Sequence, residues 1–88
     1  MKIKKIFYTS KFEKNFTRLP LRIKRLAARK QKIFQINPFD SSLVTHKLTG
    51  RLGRKYSFSV NYSYRIVFIF ENEDEVTFLD IGTHSIYQ

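Results

Sequence analysis

The 88 residues contain no cysteine, which excludes a disulfide framework and any cysteine-built metal cluster. That suits a reducing cytoplasm. Glycine and proline are sparse, at three and two, and there is no Gly/Ser linker, internal repeat or low-complexity tract. No apolar run approaches the ~18 residues needed to span a membrane, so no membrane association is expected. The start, Met1-Lys2-Ile3-Lys4-Lys5, is basic, but Ile6-Phe7-Tyr8 is too short for the apolar region of a signal peptide. A chain of this length suits one domain, residues 1–88, built on a single modest core.

Acidic residues are scarce as well: seven, against 17 Lys and Arg, for a net charge of +10. The imbalance is uneven. Residues 1–36 carry a net +11, residues 37–70 a net +4 and residues 71–88 a net −5. Such charge on a small domain implies a polyanion, RNA or DNA, or an acidic protein as partner. The blander reading is a cationic surface that serves only solubility.

The pattern along the chain is that of an α+β unit. Residues 2–8 read as a short strand. Ser10 and Glu13 have the spacing of a capping box, followed by Phe12, Phe16 and Leu19 at helical intervals, so a helix is predicted over about 10–18. Pro20 suits the first turn of a second helix. Ile23, Leu26, Ala27, Ile33 and Phe34 form its apolar stripe, and Arg22, Lys24, Arg25, Arg29 and Lys32 fill the remaining surface. Asn37-Pro38 disfavours continuation beyond Ile36.

Residues 38–53 read as a loop with brief extended pieces. From Tyr56 the period becomes two: Tyr56, Phe58 and Val60 alternate with Ser57, Ser59 and Asn61. Asn61-Tyr62-Ser63 reads as a turn, Tyr64 to Phe70 as a central strand and Glu71 to Asp74 as a polar turn. Glu75 to Ile81 is the last strand. The order is β-α-α-β-β-β. Helices should cover one sheet face, leaving Ser57, Ser59 and Arg65 on the other, partly open one.

The segments His46-Lys47-Leu48-Thr49-Gly50, Tyr56 to Ser59, Tyr64-Arg65-Ile66-Val67-Phe68 and Asp80-Ile81-Gly82-Thr83-His84 resemble, in order and spacing, the second half of RelE/ParE-superfamily toxins. The ending Gly82-Thr83-His84-Ser85 is similar to the YafQ-like branch. The resemblance implies two N-terminal helices packed on one face of a curved, mostly antiparallel four-stranded sheet. It implies the toxin of a type II toxin–antitoxin system acting in the bacterial cytoplasm. The activity implied is a ribosome-dependent, metal-independent endoribonuclease that cuts mRNA and needs no cofactor. The implied partners are an acidic antitoxin, mRNA and ribosomal RNA, with operator DNA reached through the antitoxin complex. The alternatives are a ParE-like gyrase inhibitor without nuclease chemistry, or a catalytically weak member that mainly binds its antitoxin.

Metal-free RNA cleavage needs a base for the 2′-hydroxyl, a cation for the phosphorane and an acid for the leaving 5′-oxygen. Histidine suits the first and third roles, because its ordinary pKa of about 6.5 leaves both forms populated near neutrality. The chain has two histidines, His46 and His84, and both match positions where YafQ-like toxins carry functional ones. Each has a plainer reading as a surface loop histidine. Arg65 interrupts an apolar strand, and the matching arginine of the family contacts the scissile phosphate. Its structural alternative is a cross-strand pair with Asp80 or Glu75. Tyr87 matches an aromatic that RelE-type toxins place near the C-terminus. Lys47, Arg51, Arg54 and Lys55 read as phosphate contacts or as a solvated basic loop. Ser57 and Ser59, with Ser63, stand where RelE has lysines and YafQ-like toxins have a histidine and an aspartate. The RNA-facing role then falls to serines, and the chemistry rests more heavily on His46, His84 and Arg65.

Overall fold

The computed structural model describes residues 1–50, 53–83 and 86. The elements are β1 (Lys5–Tyr8), α1 (Ser10–Thr17), α2 (Leu21–Ile36), β2 (His46–Lys47), β3 (Tyr56–Ser59), β4 (Arg65–Phe70) and β5 (Glu75–Gly82), with a 3-10 turn at Ser41–Leu43. The sheet has five strands in the order β1-β5-β4-β3-β2. Only β1, beside β5, runs parallel to its neighbour; the other pairs are antiparallel. The two-residue β2 is the addition to the four strands expected. It is one of the brief extended pieces of the loop, captured as an edge by Tyr56 and Ser57.

Two caps differ from their sequence reading. The α1 cap is Thr9, not Ser10: its hydroxyl accepts from the Phe12 amide at 3.0 Å and donates to the Leu79 carbonyl at 2.8 Å. A threonine that both caps the helix and ties it to β5 outcompetes the neighbouring serine. Pro20 is likewise the cap of α2, one position outside the first turn. Asn37 ends α2 in an extended conformation, as Pro38 requires.

The core lies between α2 and one sheet face. Ile23, Ala27 and Phe34 are its buried α2 residues, while Leu26 and Ile33 are half-buried against it. Phe34 sits at the centre, with ring centroids 4.8 Å from Phe58, 4.9 Å from Phe68 and 5.3 Å from Phe78. Burying one such ring contributes about 1.5–3 kcal/mol. Phe12 carries α1 onto the same cluster through Phe78, at 5.5 Å. Beyond the turn at Asp40, Val44 adopts a left-handed conformation with φ 51°, which is strained for a β-branched residue. That reversal directs the chain into β2.

Candidate functional site

The sheet face away from α2 is built by alternation and one irregularity. Phe58, Ile66, Phe68, Phe78 and Ile81 turn into the core. Their neighbours form two rows on the other side: Ser57–Val67–Asp80 and Ser59–Arg65–Gly82. His46 extends the first row, opposite Ser57. Strict alternation would put Asp80 beside Phe78 in the core. The register instead shifts between Val67 and Phe68, so Phe68 faces Phe78, Val67 faces Asp80, and Leu79 has no partner of its own. This bulge turns Asp80 outward and returns Ile81 to the core.

A cleft of 310 Å³ opens on this face, lined by Thr9, Lys11, Leu48, Lys55, Val67, Leu79, Asp80 and Ile86. Ile86 closes one end: its amide donates to the Thr83 carbonyl at 3.1 Å, and its Cγ2 lies 2.5 Å from where a Cβ on Gly82 would stand. Only glycine fits beneath it.

Arg65 is half-buried next to this cleft. The alternative pairing with Asp80 or Glu75 does not form. Asp80 accepts from Asn15 Nδ2 at 2.7 Å and the Ile81 amide at 2.8 Å, and holds Lys11 at 3.4 Å. Glu75 accepts from Asn72 Nδ2 at 2.9 Å. Among the described residues the salt bridges are Lys4–Asp74 and Lys11–Asp80, and neither involves Arg65. Arg65 is thus a half-buried cation with no carboxylate paired to it among the described residues, which leaves its charge open to an external anion.

His46 is exposed, and its Nδ1 lies 3.1 Å from the Val44 carbonyl. A carbonyl only accepts, so the neutral ring carries its proton on Nδ1 and keeps Nε2 as a free acceptor. Two strand spacings and two residues of rise separate His46 from Arg65, about 12 Å between Cα atoms. Side chains of this length can flank one phosphodiester across that distance.

The remaining sequence candidates divide. Ser57 is fully buried, at 0 % exposure, so the expectation of an RNA-facing Ser57 is corrected. Leu48 and Val67, both buried, belong to the same face, which is less open there than period-two alternation suggests. Ser59 is half-buried opposite Arg65, and its hydroxyl donates to the Asn61 carbonyl at 2.7 Å. Lys55 lines the cleft. Lys47 and Arg54 do not; they border a separate hollow with Gly53, Tyr56 and Phe70, because Lys47 pairs with Tyr56, a core-side residue. Arg54 Nη2 donates to the Phe70 carbonyl at 3.4 Å. The basic cluster of the sequence is thus split between two faces. Arg51, His84 and Tyr87 lie outside the described residues.

Lys11, Asp80 and Ile86 also line the cleft, and none of them was a site candidate in the sequence. One signal was available: in Val76-Thr77-Phe78-Leu79-Asp80-Ile81 the apolar spacing slips from two to three, which marks a bulge. Among the described residues no group of three His, Cys, Asp or Glu could hold a metal ion, and no helix is long and apolar enough to cross a membrane.

No protein-family model and no curated protein matches the sequence. Solved structures do match. A YoeB/ParE toxin from Agrobacterium tumefaciens superposes with a TM-score of 0.77 at 15% identity, covering 96% of this chain and 99% of that one. The RelBE2 toxin–antitoxin complex of Mycobacterium tuberculosis gives 0.76 at 18% identity, covering 91% and 96%. The E. coli DinJ–YafQ toxin–antitoxin complex gives 0.72 at 17% identity, covering 98% and 97%. At these identities the likeness is one of fold, over essentially the whole length of both chains.

Proposed function

Taking the RelE/ParE toxin fold as premise, we propose that this chain is the toxin of a type II toxin–antitoxin pair and an endoribonuclease that cuts mRNA on the ribosome without a metal ion. The observation that carries the reading is Arg65: a half-buried cation on the sheet face away from α2, with no acid paired to it among the described residues.

In the proposed reaction Arg65 grips the non-bridging oxygens of the scissile phosphate and stabilises the charge that develops on the phosphorane. His46, with Nε2 free to accept, takes the proton of the 2′-hydroxyl. The 2′-oxygen bonds to phosphorus, and the bond from phosphorus to the 5′-oxygen breaks. His84 gives the leaving oxygen its proton; in sequence it follows by two residues Gly82, the cross-strand partner of Arg65. The products are a 2′,3′-cyclic phosphate and a 5′-hydroxyl. Tyr87 stacks on a base, for about 1–3 kcal/mol. Lys55 contacts the backbone from the cleft, while Lys47, Arg54 and Arg51 contact flanking RNA. Ser59 lies beside the phosphate site; Ser57, being buried, supports it from beneath.

An acidic antitoxin is the proposed protein partner, and the exposed cations of α2, Arg22, Arg25, Arg29 and Lys32, offer it a complementary surface. Ribosomal RNA would use the same charges when the antitoxin is absent. The serines at 57, 59 and 63 favour a second reading, in which the fold binds gyrase or an antitoxin without cutting RNA.

Induction of the chain with parallel labelling of new protein and new DNA separates these readings. The nuclease reading requires translation to stop while DNA synthesis continues, with new transcript 5′ ends in register with codons. A block of DNA synthesis without new 5′ ends would reverse the assignment. His84→Ala should lower cleavage by roughly 10²–10⁴-fold.

A further inference from the structure

We propose that the cleft beside Arg65 is a base pocket that selects guanine, with Asp80 as the residue that reads it; the proposal rests on the RNA-cleaving reading above. The cleft, at 310 Å³, is at the small end of ligand sites, fit for a base and not for a whole nucleotide. Leu48, Val67, Leu79 and Ile86 supply apolar surface for the flat faces of a ring. Arg65 and Val67 lie two residues apart on one face of β4, about 6.6 Å along the strand. A phosphate held by Arg65 therefore leaves an adjoining base within reach of the cleft.

Asp80 is the unexpected member. A carboxylate repels a polyanion, so its place in a basic site needs a reason. Its Oδ1 already accepts two hydrogen bonds, from Asn15 and the Ile81 amide. Among the described residues its Oδ2 pairs with Lys11 alone, at 3.4 Å, longer than the ~2.7–2.9 Å of a close charge-assisted bond. Oδ2 thus keeps acceptor capacity, on a residue that lines the cleft. Such an oxygen selects a base edge that donates. Guanine donates from adjacent N1 and N2 and presents O6 beside them as an acceptor, which suits Lys11 on the same cleft. Adenine and cytosine lack that adjacent donor pair, and uracil offers one donor between two acceptors. The bulge that turns Asp80 outward is the structural device that makes this reading possible.

The test titrates the isotope-labelled full chain with GMP, IMP, AMP, CMP and UMP and follows backbone amide shifts. GMP should move Leu48, Val67, Leu79 and Ile86 and bind about tenfold or more tighter than AMP, CMP or UMP, the usual worth of a two-bond base contact. IMP, which lacks the 2-amino group, should fall between. Asp80→Asn should erase the GMP preference. Because Asp80 also ties α1 to β5, Leu79→Phe serves as a second variant: it fills the cleft, leaves the partners of Asp80 in place and should abolish the GMP shifts. Equal binding of the nucleotides, shifts confined to another face, or unchanged GMP binding by Leu79→Phe would overturn the pocket. Cleavage of mRNA on added ribosomes by the same preparation is scored separately. Cleavage indifferent to guanine sinks the pocket and leaves the nuclease; guanine binding without cleavage keeps the pocket and sinks the nuclease.

Discussion

Gly82→Ala perturbs the site without removing any of its polar groups. A Cβ there would lie 2.5 Å from Ile86 Cγ2, about 1 Å inside ordinary contact. That carbon is attached to a branched Cβ, so a side-chain rotation is not an easy escape. The displacement falls on Ile86, which lines the cleft and is hydrogen-bonded to Thr83, just past the partner strand of Arg65. Overpacking in a closed core costs about 1–3 kcal/mol, and this half-exposed site should fall at the lower end. A misplacement of ~1 Å near reacting groups can cost about 10²-fold in rate. The expected signature is therefore a large loss of kcat/KM with a small fall in Tm. Ile86→Ala deletes the clashing carbon, so the double variant should recover most of the activity. The cycle of four proteins, measured by single-turnover mRNA cleavage on ribosomes and by thermal unfolding, should yield a coupling of about 1–3 kcal/mol. Wild-type cleavage by Gly82→Ala, or no recovery in the double variant, would refute the link between the glycine, the isoleucine and the site.

Four further outcomes follow from the geometry. Arg65→Ala should cost about 1–3 kcal/mol of transition-state stabilisation and flatten the log–log salt dependence of RNA binding by about 0.7, read from salt-titrated affinity. Phe34→Ala, at the centre of the ring cluster, should destabilise by about 3–5 kcal/mol in urea melts. Val44→Asn relieves a left-handed β-branched residue that is 61% exposed; it should stabilise by about 1 kcal/mol, a Tm rise of about 4–8 °C by calorimetry. The Ser42 hydroxyl, then the Ser42 amide, holds the Asp40 carboxyl below the ordinary aspartate value. Its small stabilising contribution is present at neutral pH and is lost as pH falls through the lowered folded value. A carboxyl titration by NMR should show the low midpoint, and Ser42→Ala should raise it.

Much of the fold was legible because its signals are local. The stripe from Ile23 to Phe34 and the alternation from Tyr56 to Val60 depend on near neighbours, and both appear as expected. The capping residue was misjudged because the choice between Thr9 and Ser10 turns on Leu79, 70 residues away. The same holds for β2, which is a strand only because β3 is beside it. Arg65 was identifiable as a charge in an apolar strand; that Asp80 would bond to Asn15 and Lys11 was not, since α1 and β5 meet only in three dimensions. Ser57 misled for a related reason. Alternation assigns it to the face away from α2, but whether that face is covered depends on the packing around it, including the buried Leu48 and Val67.

The parallel pairing of β1 with β5 also has a consequence for assembly. One strand is synthesised near the beginning and its partner near the end of these residues, with both helices and the antiparallel meander between them. Until Glu75–Gly82 has emerged from the ribosomal tunnel, Lys5–Tyr8 has no edge to join and Phe34 lacks Phe78. Closure over such a separation is slow compared with forming a helix or hairpin. A partly made chain therefore cannot display the finished surface, and a cell gains the interval of synthesis before the protein becomes competent.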